Sequence, residues 1–141
     1  MFNQDNCMTI DKISEFMPCA LLVYKANDTE EIIFASDELA RIFECDSAQD
    51  FMRFTGGSFT TAVYPEDIEE VNRTIKSQIT ASNGLDYVTY RIITKNGNIK
   101  TIEDWGRFVH DDELGDLFYV YLHDIETRNK LSAISELKKN I

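Results

Sequence analysis

Two histidines, three cysteines and a large set of carboxylates are the residues of this chain that could do chemistry, and their spacing speaks against catalysis. His110 and His123 fall late in strand-like runs near turns, where an imidazole commonly stands at an edge instead of serving as a general base. Glu103 and Asp104 are adjacent. Neighbours on a strand point to opposite faces, so the two cannot share one substrate proton, and one of them is expected to face solvent. Asp111, Asp112, Glu113 and Asp116 lack the twelve-residue ligand spacing of a calcium loop and read as a solvated turn. Cys7, Cys19 and Cys45 are odd in number and widely spaced, the pattern of reduced thiols and not of a disulfide framework. The sequence holds no Gly-rich phosphate loop, Cys-x-x-Cys, His-Glu-x-x-His or Gly-x-Ser-x-Gly, so neither a catalytic site nor a metal site is expected.

Composition narrows the partners. Lys and Arg number 14 against 25 Asp and Glu, a formal charge of -11 that opposes binding to nucleic acid or anionic lipid. With 141 residues, 43% of them hydrophobic, the chain suits one domain with a short appendage, able to bury roughly 70% of its unfolded surface without disulfides or metal. No apolar run approaches the roughly 20 residues of a membrane span, and Met1 to Asn6 lacks the blocks of a signal peptide. A cytoplasmic protein without membrane insertion is expected, in which the sequons at Asn27 and Asn72 carry nothing.

The elements that must position any site follow from periodicity. Ile10, Ile13, Phe16 and Met17 recur at helical spacing before Pro18, giving a short cap helix over residues 1–17. Ala20 to Ala26 and Glu31 to Ala35 form a β-hairpin around Asn27-Asp28. Ser36 caps a helix with Leu39, Ile42 and Phe43 on its apolar face; Ser47 caps another, with Phe51 and Phe54 on its buried side, ended by Gly56-Gly57. The longest helix begins at Pro65 and carries Ile68, Val71, Ile75 and Ile79 as its core stripe. Strands then run from Tyr87 to Thr94, from Ile99 to His110 and from Leu117 to His123, the first two joined through Asn96-Gly97, the sequence of a type I′ turn. Asp124 caps a last helix, in which Leu131, Ile134 and Ile141 share one side and Leu137 lies close by. Helix, two strands, helices, three strands and helix make an α+β fold: a five-stranded antiparallel sheet with helices on one face.

In these elements the stretch from Pro18 to Arg128 resembles a PAS sensor domain. The resemblance rests on Tyr64-Pro65-Glu66-Asp67 at a helix start, on Tyr90-Arg91-Ile92 with Lys95-Asn96-Gly97 in a hairpin, and on Asp124-Ile125-Glu126-Thr127-Arg128 at the end. Ser36, where many members have Asn, Tyr64 in place of His, and Glu126-Thr127 depart from the family pattern. The resemblance implies a PAS domain over residues 18–124 and a signalling helix or linker over 125–141. It also implies a bacterial signalling protein whose output domain is a diguanylate cyclase or a histidine kinase. Members that hold haem usually supply a histidine from the long helix, which here has none, and Cys45 lacks the context of a flavin-reactive cysteine. Haem and covalent flavin are therefore disfavoured, and no cofactor is expected beyond an unidentified small molecule.

The resembled fold encloses a chamber between the inner sheet face and the helices. Alternation places Val88, Tyr90 and Ile92 on one side of their strand and Phe118, Val120 and Leu122 on one side of theirs; Phe34, Ile42, Phe54, Phe59 and Ile75 would close the space. The same residues could equally fill a solid core. Tyr87, Tyr119 and Tyr121 fall on the outer face, where the N-terminal helix or a second subunit, in a homodimer, would cover them. Asp124 would cap the final helix, pair with Arg128 and so couple the sheet to it. The expected function is a non-catalytic sensory module that passes a ligand or partner signal through the final helix. Two alternatives stand beside it: a cone-shaped enzyme of the ketosteroid isomerase type with His123 and Asp124 as acid and base, and a dimerisation adaptor with a filled core.

Overall fold

Hydrophobic alternation sets the sheet. In β3 (Leu85–Ile93) the inward positions Asp86, Val88, Tyr90 and Ile92 are all buried, and the residues between them are not. The computed structural model describes residues 9, 12, 13 and 16–139. Besides β3 the sheet contains β1 (Ala20–Lys25), β2 (Ile32–Ala35), β4 (Ile99–Asp111) and β5 (Gly115–Asp124). They lie in the order β2-β1-β5-β4-β3, every neighbouring pair antiparallel. The helices are α1 (Asp37–Ile42), α2 (Ala48–Thr55), α3 (Ile68–Ala81) and α4 (Ile125–Lys139). The fold is the expected α+β arrangement, an antiparallel sheet whose inner face is covered by helices.

The caps read from the sequence are formed. Ser36 accepts the Leu39 N–H at 3.3 Å, and its buried hydroxyl also ties α1 to β1, accepting from Leu21 N–H at 2.9 Å and donating to the Cys19 carbonyl at 3.0 Å. Ser47 accepts from Asp50 N–H at 3.0 Å, and Gly56 ends α2 in the left-handed region. Asp124 accepts from Glu126 N–H at 3.0 Å at the head of α4.

Three local expectations are corrected. The longest helix starts as a 3-10 turn over Pro65–Asp67 and becomes α-helical only at Ile68, because the Asp67 carboxylate caps nothing and instead holds Arg91 of β3. The β3–β4 connection is not a type I′ turn, which needs positive φ at both central residues. Only Gly97 has it, and the turn closes with Gly97 N–H donating to the Thr94 carbonyl at 2.9 Å while Asn98 N–H reaches Thr94 Oγ1. Phe54 is not on the buried side of α2; it is 39% exposed, and Phe51 alone of the pair enters the core.

Of the N-terminal cap helix, Lys12, Ile13 and Phe16 are helical, with Met17 N–H donating to the Ile13 carbonyl at 2.9 Å. The expectations for Ile10, Cys7 and Ile141 lie outside the described residues. In α4, Leu131, Ile134 and Leu137 are all exposed. No helix among the described residues is long and apolar enough to cross a membrane.

Candidate functional site

Nine of the eleven expected pocket residues come together. Ile42, Phe59, Ile75, Val88, Tyr90, Ile92, Phe118, Val120 and Leu122 belong to one buried cluster between the inner sheet face and the helices. Phe34 does not, because it pairs with Val23, whose side chain points outward beside Tyr119. Phe54 is excluded by its exposure. Aromatic rings fill the centre of the cluster: Tyr24 stacks on Phe59 at 4.5 Å and on Phe118 at 5.3 Å, and Tyr90 meets Phe59 edge-on at 6.0 Å.

Two acids that the sequence reading did not place inside lie on this face. Asp104 is buried and accepts the Tyr90 hydroxyl at 2.7 Å. Asp86 is buried too, and its Oδ2 has no hydrogen-bond partner. Burial pushes the Asp104 carboxyl up to about 7, further raised by Asp86 and opposed by the Tyr90 bond; burial alone pushes Asp86 up to about 6. Desolvation also holds the Tyr24 and Tyr90 phenols well above their ordinary range. The signal for both acids was the period-two phase. Two residues upstream of Val88 is Asp86, and two downstream of Ile102 is Asp104.

The outer face carries a second feature. Leu21, Val23, Phe34, Tyr87, Trp105, Tyr119 and Tyr121 line an open apolar groove of about 910 Å³, with Ile13 of the N-terminal helix at its margin. The tyrosines lie where alternation put them, and Trp105, its ring 4.4 Å from that of Tyr87 and tilted by 46°, adds the residue the sequence reading omitted.

Glu103 joins this face to α4. The adjacent pair Glu103 and Asp104 does point to opposite faces, but neither reaches solvent. Glu103 accepts the Tyr87 hydroxyl at 2.7 Å on one oxygen and Arg128 on the other. The expected Asp124–Arg128 pair is thereby corrected: the Asp124 carboxylate is engaged by its own helix cap and by Lys100 Nζ at 3.5 Å, and Arg128 reaches back to β4 instead.

His123 and Asp124, the acid and base of the enzymatic alternative, are each engaged with another partner. His123 meets the Tyr121 hydroxyl and Asp124 caps α4, while a hairpin precedes the helices, so the cone-shaped enzyme is set aside. The His110 ring lies 2.8 Å from an Asp116 carboxylate oxygen in the exposed turn, where Asp111 accepts from the Glu113 and Leu114 amides. Cys45 is buried, and desolvation raises its thiol. Among the described residues no cluster of His, Cys, Asp and Glu is arranged to hold a metal.

Sheet order, helical cover and core define a PAS-type domain. The family model described as PAS fold matches residues 32–121, and the chain belongs to that family. The match ends before Asp124 and Arg128. Solved structures share the fold. The PAS domain, in complex with ethanol, of a LuxR-family transcriptional regulator from Burkholderia thailandensis is 21% identical, covers 84% of this chain and 99% of its own, and has a TM-score of 0.63. A sensory box histidine kinase/response regulator from the same species gives 14% identity, 87% and 88% coverage and 0.58. The N-terminal domain of a diguanylate cyclase with PAS/PAC sensor from Marinobacter aquaeolei gives 17%, 79% and 98%, and 0.54. No curated protein matches the chain by sequence.

The two raised acids fix a pH dependence. An unfolded Asp titrates near 3.9, so below about pH 4 both states carry the protons and these two acids cost the fold nothing. As the pH rises from about 4 through the folded values near 6 and 7, the unfolded chain ionises first and stability falls, by on the order of 1 kcal/mol per unit of elevation. Asp50, Asp67 and Asp111, lowered mainly by hydrogen bonds from Lys95, Arg91 and the Leu114 amide, act in the opposite sense, losing their contribution as pH falls through their folded values. Urea melts are expected to show stability declining up to about pH 7 and levelling off above it. In Asp104→Asn the decline should flatten and the protein should be the more stable at the alkaline end; an unchanged slope would show that Asp104 does not titrate there.

Proposed function

We propose that this PAS domain is a non-catalytic sensory module that binds a small ligand or partner and passes the change through α4 to an output domain. The observation that carries the reading is the anchoring of α4 to the sheet through Glu103, with Arg128 on one oxygen and Tyr87 on the other. A change in the strands therefore displaces the head of the helix. Residues Leu131, Ile134 and Leu137 give α4 an exposed apolar side, and a lone helix of 15 residues is marginal in water, so it needs a partner surface. Two similar structures, from a histidine kinase and a diguanylate cyclase, support those as the kind of output; a cytoplasmic bacterial signalling protein is the setting proposed for it. The ethanol in a third supports a small-molecule ligand.

The domain works without haem or covalently bound flavin. The long helix offers no histidine, and a buried Cys45 thiol with a raised pKa is a poor nucleophile. It self-associates as a homodimer through the outer face, where Trp105 and Tyr119 stay half exposed beside Ile13. An adaptor with a filled core is the second reading, favoured by the dense stacking of Tyr24, Phe59 and Phe118.

Joined to a surrogate output enzyme, the native chain should show regulated activity, whereas Glu103→Gln and Arg128→Ala should lose most of the difference between basal and stimulated rates while remaining folded. Asp124→Ala should cost about 1 kcal/mol through its cap and show the same uncoupling. Full regulation in all three variants would reduce α4 to a passive tail. Freshly purified protein should show neither a Soret band nor a flavin spectrum; either one would refute the cofactor reading. In sedimentation, Tyr119→Arg should shift the native dimer toward monomer, and a native monomer at high concentration would exclude self-association through this face.

A further inference from the structure

At one edge of the sheet the nine residues of β3 leave a row of backbone groups that no other strand pairs. Phe108 N–H donates to the Gly84 carbonyl and Thr94 N–H to the Asn98 carbonyl, so the even-numbered residues of β3 face β4 and the odd-numbered ones turn N–H and C=O outward. A long edge of this kind is a template for another strand. Here its rungs are closed from outside the sheet. Leu85 N–H donates to the Ser82 carbonyl at 3.3 Å, and the Leu85 carbonyl accepts from the Ser82 hydroxyl at 2.5 Å. The Arg91 carbonyl accepts from Tyr64 N–H at 2.8 Å, and Arg91 N–H donates to Asp67 at 2.9 Å. Between them Gln78 of α3 does what a neighbouring strand would do: its Oε1 accepts from Tyr87 N–H at 2.5 Å and its Nε2 donates to the Tyr87 carbonyl at 2.9 Å. The Leu85 and Arg91 rungs each use a backbone group of the covering segment, whereas Tyr87 is covered by one rotatable side chain alone. Thr89 is the exception. Its backbone has no partner among the described residues, and beside it lies an open hollow of about 260 Å³ bounded by Glu70, Val71 and Thr74 of α3.

We propose that β3 is a concealed strand-addition edge for a second copy of this chain, and that Gln78 is the latch that keeps it closed. Antiparallel pairing of two β3 strands about a two-fold axis through Val88 sets Tyr87 of each copy opposite Thr89 of the other. That register uses only the rung that is open and the rung that Gln78 vacates, and it leaves Ser82, Tyr64 and Asp67 in place. A second copy brings the same two rungs in the reverse order, which is what the register needs. While Gln78 is engaged, Thr89 alone is available, and one rung between closed neighbours does not seat an extended chain. The formal charge of -11 on each copy also opposes approach, so pairing is favoured by salt. The surface is distinct from the outer-face groove, because a strand added at β3 extends the sheet in its own plane instead of covering a face.

The test uses the full chain carrying Tyr119→Arg, so that association through the outer face does not contribute. Amide hydrogen exchange is followed by NMR and mass by sedimentation. With Gln78 in place, the Tyr87 amide should be protected and the Thr89 amide should not; equal exchange at the two would overturn the latch. At low concentration Gln78→Ala should speed exchange at Tyr87 roughly tenfold, with the even-numbered amides of β3 unchanged. As concentration rises, the Tyr87 and Thr89 amides should become protected together as the mass doubles, more readily at high salt. Thr89→Pro removes an N–H that no ladder bond uses, and it should prevent the doubling in the Gln78→Ala chain. Should Gln78→Ala fail to fold, Gln78→Met, which fills the same space without donor or acceptor, takes its place. A latch-free chain that stays monomeric at high concentration, or that still doubles its mass with Thr89→Pro present, would overturn the proposal.

Discussion

Pairing of β1 with β5, from Ala20 opposite Leu122 to Lys25 opposite Leu117, joins the first strand of the sheet to the last, and the rest of the architecture follows from it. These are the most distant contacts in sequence, and their loop-closure entropy must be met by what forms between them. The intervening chain supplies it as two local units, the β1–β2 hairpin and the β3–β4–β5 meander, with α1 to α3 between them. Because Ala20 faces Leu122, the N-terminal segment and α4 leave the same end of the sheet side by side.

The helical layer is held to the sheet by a few charged contacts at its edge. Arg91 lies 4.2 Å above the Tyr64 ring, and Asp67 accepts from its backbone N–H at 2.9 Å and its side chain at 3.0 and 2.7 Å. Lys95 at the hairpin tip reaches Asp50 of α2 at 2.7 Å. Glu44, in the left-handed region after α1, accepts from Asn98 and Thr94 of that hairpin. The residues that carry the family resemblance, Tyr64 to Asp67, Tyr90-Arg91 and Lys95 to Gly97, are thus largely the two halves of these contacts. Their spacing in sequence is the imprint of one helix start docking on one strand and one hairpin docking on one helix.

The same logic explains how much was legible in the sequence. Every strand and helix within the described residues could be read, because period-two burial and Ser, Asp and Gly caps are local signals. Phe34 and Phe54 were misplaced for a reason of phase: in strands and helices of four to eight residues, one position of error turns a side chain from core to solvent. Arg128 was assigned to Asp124 because helical spacing is visible in sequence, whereas a partner on β4, 25 residues upstream, is not. The buried acids were missed because a carboxylate is taken to be solvated unless something says otherwise. Only registering β3 against β4 reveals that Asp86 and Asp104 share the inner face.

β4 is consequently where the core and α4 meet. Glu103 and Asp104 are consecutive, and strand geometry turns one to each side of the sheet. Asp104 is set by the electrostatics of the core, through Tyr90 and Asp86; Glu103 is set by the contacts of α4, through Arg128 and Tyr87. In the proposed function, a change of charge or of hydrogen bonding at Asp104 reaches Glu103 along one strand, with no chain of intermediates across the core. A difference of 1 to 3 kcal/mol between two states is enough to change their ratio by about 5- to 150-fold. The adjacency that rules out shared proton chemistry between these carboxylates is what allows one strand to link the core to the helix.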